Sequence, residues 1–341
     1  MTEESGFRLR EDWLAQVVEE AIDPERPIID PHFHFFEASD FLPKYGLADL
    51  RRDTRQHNVQ HTIFMQCREN FRTTGPELLR PVGEMEWMAR VAEEAKRSSA
   101  GSFRISALIG DAPLIRGAAV RELLEAHLAA TPLVRGIRDM GLWDASPEVD
   151  KVEAATGPNM YGEPSFRKGF AELARLGLSF DAHQYHTQLP YVADLAHAFP
   201  DATIVVNHLG SPLGAGPYAN RREEVFVEWR KAIALVAACP NVFVKLGGLA
   251  MPWSGFGFDR AARPPTSDEL VAVQGRYYDH AIQSFGPSRC MFESNFPVDK
   301  LSLGYTVLWN AFKKMARGYS QAEQEAMFRG TAARVYRIEL A

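Results

Sequence analysis

Eight short runs rich in β-branched and aromatic residues, at 27–30, 62–67, 103–109, 134–139, 179–185, 203–208, 242–247 and 290–295, alternate with longer helix-patterned stretches. The helical stretches are 84–97, 117–130, 165–176, 189–199, 223–238, 267–285 and 303–317. Strand alternating with helix is the pattern of a parallel sheet, because each crossover must return the chain to the same end. Eight such units in 341 residues predict an α/β protein built as a (β/α)8 TIM barrel. We expect the barrel over 27–341, with a helical extension at 1–26 before it and further helices at its C-terminus. A doubly wound sheet is the alternative, but its glycine fingerprint is missing. Gly214-Ala215-Gly216 and Gly255-Phe256-Gly257 lack the third glycine and join no strand directly to a helix.

The long connections follow strands, at 68–83, 140–164, 209–222 and 248–266, whereas those preceding strands are short. In a barrel the loops after the strands build the active face, so a substrate mouth is expected there. Trp143, Tyr161, Tyr218, Trp253 and Phe256 lie in these loops and could line it. With 38 Lys+Arg against 44 Asp+Glu, the net charge of −6 disfavours a nucleic-acid partner. Cys67, Cys239 and Cys290 are widely spaced and each adjoins an apolar run, which fits buried thiols in a reducing compartment. The acidic N-terminus has no apolar signal core, and no uncharged apolar stretch reaches about 18 residues. The expectation is a cytoplasmic protein without a membrane partner, acting on a small molecule, with a homodimer as the common habit of such enzymes.

Chemistry concentrates at strand ends. His32 and His34 are two residues apart and therefore share a face, where both imidazoles could reach one cation. His208 ends the sixth strand and resists explanation as core packing. His183 and His186 end the fifth with opposite parity; His186 lies nearer the mouth, and His183 reads as structural. Glu293 and Asn295 share parity on the eighth strand, and a buried glutamate requires a partner, a metal or a proton. Arg138 offers a planar fork for a carboxylate or an oxyanion. Lys245, inside the seventh strand, needs an acid such as Glu293 or Asp30. Gln66 could complete the polar lining. No GxSxG elbow is present.

The segments PIIDPHFHFF, YHTQLP, VVNHLG, VFVKLGGL, CMFESNFPVDK and GTAARVYRIEL together resemble the amidohydrolase-related family often called amidohydrolase 2. The likeness is to its branch of metal-dependent barrel hydrolases, which includes sugar lactonases and pyrone-dicarboxylate lactonases. The resemblance implies a distorted barrel that hydrolyses a small cyclic ester at a mononuclear site. The ion would be zinc, with manganese an alternative, and metal is dispensable in some members. It implies His32, His34 and His186 as metal ligands. It also implies that His208 binds metal or polarises substrate, and that Arg138 holds a substrate carboxylate or carbonyl. Many relatives carry a water-activating aspartate where this chain has Asn295. An amide cannot serve as a general base, so Glu293 or a histidine would have to take the proton.

Three functions follow from these residues. The first is metal-assisted hydrolysis of a lactone, with His208, Glu293, Asn295 and Arg138 at the reacting centre and Arg138, Gln66, Lys245 and Tyr218 holding the substrate. The second is nonoxidative decarboxylation of an aromatic or unsaturated acid. The third is a non-catalytic ligand-binding barrel, for which Asn295 is the sole sequence support.

Overall fold

A computed structural model describes residues 8–37, 42–97, 103–150, 152 and 155–340. The first seven residues of the expected extension, and 151, 153 and 154 of the 140–164 loop, lie outside the described residues. Eight strands form the sheet: β1 (Ile28–Phe33), β2 (Val59–Met65), β3 (Arg104–Asp111), β4 (Val134–Met140), β5 (Ser179–His183), β6 (Ile204–Val206), β7 (Val242–Leu246) and β8 (Cys290–Phe292). They pair in chain order and every pairing is parallel. The remaining seam lies just beyond β8. There Phe33 bridges Phe296, the His34 amide donates to Phe296 O at 2.8 Å, and the Asn295 amide donates to His32 O at 2.9 Å. The result is a nearly closed (β/α)8 barrel.

The period-2 alternation of each strand divides the core into two layers. Phe64, Phe180, Val244 and Phe292 point outward and pack under the helices. Ile29, Ile63, Met65, Ile109, Val205 and Met291 point inward and fill the barrel. The C-terminal helix Thr331–Tyr336 closes this inner cluster with Ala332, Val335 and Tyr336. The Tyr336 hydroxyl donates to Asp181 Oδ1 at 2.9 Å, and its ring lies 5.4 Å from Lys245 Nζ.

Among the described residues the extension is helical only over Glu11–Leu14. Its side chains tie it to the outer segments of the barrel. Trp13 Nε1 donates to Ala261 O and Ala262 O at 3.1 and 3.2 Å. Glu19 accepts from the Ser267 amide at 2.8 Å and from Asn310 Nδ2 at 2.9 Å. Strands β6 and β8 end before the runs 203–208 and 290–295 do, where His208, Leu209 and Asn295 adopt φ of 53°, 54° and 53°, which no extended ladder accepts.

Tyr336→Phe should leave the fold intact. It should cost about 1.5–3 kcal/mol, the range for a hydrogen bond to a charged group, measured by denaturant unfolding. Unchanged stability would mean that the hydroxyl does not support Asp181.

Candidate active site

The floor of the site is a layer of fully buried charge above the apolar filling. Lys245 on β7 and Asp181 on β5 both face inward and pair at 2.8 Å. Asn207 Nδ2 adds a 3.0 Å hydrogen bond to the same Asp181 oxygen. The expected acid partners of Lys245 therefore give way to Asp181. Asp30 has the opposite parity and faces the outer layer, where it accepts from the Ser294 amide at 3.0 Å and the Tyr305 hydroxyl at 3.1 Å. Glu293 continues the inward parity of Met291. Its Oε1 accepts from the His208 backbone amide at 3.1 Å and lies 2.7 Å from His208 Nδ1. Its Oε2 lies 2.7 Å from His32 Nδ1. Burial pushes the Glu293 carboxyl up to about 8, while Lys245 opposes that rise. Two glycines make room for this pair. A Cβ on Gly247 would lie 2.4 Å from Glu293 Cγ, and one on Gly248 would lie 2.2 Å from His208 Nδ1.

The histidine pair depends on an irregularity. The β1–β2 register shifts between Asp30 and Phe33, around Pro31, which has no amide to donate. Ile29 faces inward before the shift, whereas His32 and His34 face inward after it. His34 Nδ1 lies 2.8 Å from Met65 O, so that nitrogen carries the proton. At His32 the other nitrogen decides: Arg138 Nη1 can only donate, so Nε2 accepts and Nδ1, beside Glu293 Oε2, carries the proton. Both Nε2 atoms then present lone pairs, and they stand 3.1 Å apart. Arg138 Nη1 is 3.4 Å from His32 Nε2, and Nη2 donates to Gln66 O. Burial lowers both imidazoles well below the usual value; Lys245 adds most to that effect at His32 and Arg138 at His34. The donor set fits a divalent cation: two neutral imidazoles with nitrogens 3.1 Å apart can share one ion at about 2.0–2.1 Å from each. Among the described residues His32, His208 and Glu293 also bring ligand atoms within 4.8 Å of one another. Glu293 lies against both ring Nδ1 atoms, hydrogen-bonded to His208 and 2.7 Å from His32, the position of a group that orients ligands from behind.

A cavity of about 590 Å³ opens above this layer at the C-terminal ends of the strands. His34, Arg138, His183, His208 and Asn295 line it at the strand ends, and Arg68, Glu69, Asp150 and Tyr185 line it from the loops. Of the two histidines ending the fifth strand, His183 faces the cavity. It is the last residue of β5, two positions after the inward Asp181, and its ring centroid is 4.9 Å from that of His208. Neither His183 nitrogen has a hydrogen-bond partner among the described residues. His186 belongs to a separate cluster, because the chain has already left the strand for a short 3-10 turn. Its Nδ1 accepts from the Leu213 amide at 3.4 Å, and burial lowers its pKa to about 4. Tyr218 joins that cluster, with its ring 5.5 Å from His186 and its hydroxyl donating to Asp144 at 2.7 Å. Tyr218 does not line the cavity. Gln66 is also absent from the wall: its parity is that of the outward Phe64, and only its carbonyl reaches Arg138. Lys245 lies beneath the imidazoles, 3.5 Å from His32 Nδ1, out of the cavity lining. Of the loop aromatics, Trp253 lines the cavity.

Asn295 lines the cavity with a fixed amide. Its Nδ2 donates to Asp299 Oδ1 at 2.9 Å, which turns Oδ1 away from that carboxyl. Burial pushes Asp299 up to about 8. Cys67 also lines the wall, but burial, with Glu84 adding to it, holds the thiol protonated, and Sγ donates to Phe35 O at 3.1 Å. Asp181 and Asp299 are the residues sequence reasoning passed over, and His183 is the one it read as structural. The Asp181-x-His183 spacing repeats the same-face logic of His32-x-His34 and was the available signal.

Comparison with known proteins agrees with this geometry. Residues 29–338 match the family described as Amidohydrolase, and the chain belongs to it. It is a hydrolase of the amidohydrolase superfamily, whose members bind a divalent metal. The chain is 31% identical over 332 residues to Uncharacterized protein y4mH of Sinorhizobium fredii, covering 91% of this chain and 98% of that one. It is 27% identical over 318 residues to L-fucono-1,5-lactonase of Burkholderia ambifaria, covering 91% and 96%. An amidohydrolase from Burkholderia multivorans, crystallised with bound zinc, shares the barrel with a TM-score of 0.71, at 23% identity over 92% of this chain and 100% of that one. Among the described residues no helix is long and apolar enough to cross a membrane.

Gly248→Ala tests how the floor is built. The added Cβ meets His208 Nδ1, and Gly248 has φ +70°. Turnover should fall by about 10²-fold or more, the usual worth of an acid–base group, with the circular dichroism spectrum retained. Full activity would mean that the imidazole is not held by this contact.

Proposed function

We propose that the chain hydrolyses a lactone or closely related ester with the help of one divalent ion, most readily zinc, at His32 and His34. The observation that carries this reading is the convergence of two imidazole lone pairs, 3.1 Å apart, beside the Arg138 guanidinium in a strand-end cavity. The bound ion would supply a Lewis acid and a water acidified to near neutral pKa.

The chain's own residues do the rest. Arg138 stays cationic at neutral pH even though burial pushes it down to about 10. It can hold the carbonyl oxygen as negative charge develops there. His208, with Nδ1 turned to Glu293, keeps Nε2 free to take a proton from water and return it to the leaving oxygen. Water oxygen bonds to the acyl carbon, the ring C–O bond breaks, and a hydroxy acid results. Asn295 Oδ1 can accept a hydrogen bond and orient water, but it cannot take the proton. The proton therefore goes to a histidine rather than to residue 295. His183 stands beside His208 and can serve as a third ligand or a substrate contact.

The test is metal content by elemental mass spectrometry together with assay on a lactone panel, for the native chain and for His32→Ala/His34→Ala. The native chain should hold one equivalent of metal, and the double variant should lose metal and at least about 10²-fold in turnover. Full lactone hydrolysis by a metal-free double variant would overturn the reading.

A further inference from the structure

We propose that the substrate carries an apolar substituent on the lactone or ester, and that a polyhydroxylated sugar lactone is a poor substrate. This deepens the reading above and rests on it. The strand ends contribute His34, Arg138, His183, His208 and Asn295 to the cavity. Among the described residues six others give it an apolar wall, Phe36, Met140, Leu142, Val152, Met251 and Trp253, and Cys67, Tyr185 and Val298 also line it. These side chains extend two packed apolar clusters. Phe36 and Met251 pack with Leu42 and Leu301, while Leu142 packs with Val149, Leu213 and the flanking Val152 and Trp253.

Two physical arguments follow. The cavity, at about 590 Å³, is within the range that encloses a drug-sized ligand, so a single small ring leaves much of it unfilled. A sugar lactone carries hydroxyls around its ring, and each must find a partner when it leaves water. Of the six wall residues only the Trp253 indole carries a side-chain donor, and none carries a strong acceptor. The charged residues Arg68, Glu69 and Asp150 also border the cavity; Arg68 and Asp150 are exposed and stay hydrated, and Glu69 is half-buried. The wall therefore rewards methylenes and penalises hydroxyls. Met140 and Met251 are unbranched and polarizable, which lets the wall adapt to differently shaped substituents. The chemistry is ordinary hydrolysis: water adds to the acyl carbon, the acyl C–O bond breaks, and the substituent stays on the hydroxy-acid product.

The test compares δ-lactones that differ only in the length of one alkyl substituent with L-fucono-1,5-lactone. Specificity (kcat/KM) should rise about fourfold per added methylene until the wall is covered. L-Fucono-1,5-lactone should fall at least about 10²-fold below the best alkyl lactone, because several hydroxyls go unpaired. Met251→Ala should flatten the dependence on chain length. Calorimetric binding of the matching alkyl δ-lactams, which resist hydrolysis, separates two failures. If the lactams bind with the same chain-length dependence but no lactone is turned over, the hydrolytic reading fails and the apolar preference stands. If L-fucono-1,5-lactone is the better substrate, or rates and lactam binding are flat in chain length, the apolar preference is overturned and hydrolysis stands.

Discussion

The buried pair of Lys245 and Asp181 is the interaction on which the rest of the site depends. Both side chains are fully buried and 2.8 Å apart in the middle of the barrel. A lone charge there would be costly, and removing one partner of such a pair typically costs about 3–5 kcal/mol. Asn207 and Tyr336 both donate to Oδ1 of Asp181, the oxygen that Lys245 also reaches, one from the end of β6 and the other from the C-terminal helix. The last helix of the chain thus supports the first layer of the active site.

Resting on that layer, Glu293 sets the imidazoles. One oxygen faces His208 Nδ1 and the other faces His32 Nδ1, both at 2.7 Å. A single carboxylate therefore directs two Nε2 atoms away from the floor. Met65 O does the same for His34. Burial, with positive charge from Lys245 below and Arg138 beside them, disfavours imidazolium and keeps the rings in the neutral form that can bind metal. Asn295 fits the same economy of charge. An aspartate at that position would lie against Asp299, and two buried carboxylates in contact cannot both ionise. The amide lets residue 295 present an acceptor without adding a second buried anion.

The barrel was legible because its signal is repeated eight times, and repetition survives errors at any one strand end. That His32 and His34 share a face, and Glu293 and Asn295 another, was legible from parity; which face the histidines take was set by the register shift at Pro31. Parity failed where the backbone departs from a regular strand or where a side chain has no repeated pattern to follow. His186 looked closer to the mouth, but β5 stops at His183 and the turn carries His186 sideways to Tyr218 and Asp144. The left-handed backbone at His208 has no local sequence mark. Lys245 announced that it needed an acid. Choosing Asp181 over Asp30 required knowing that β1 shifts register at Pro31 and that Asp30 lies before the shift.

The central claim is that the floor fixes tautomers so that imidazole lone pairs converge on the cavity. The most direct measurement is nitrogen-15 NMR of the histidines in the metal-stripped protein near neutral pH. The account predicts His32, His34 and His208 neutral, each protonated on Nδ1 and bare on Nε2. Imidazolium signals, or Nε2-protonated rings at these three positions, would contradict it.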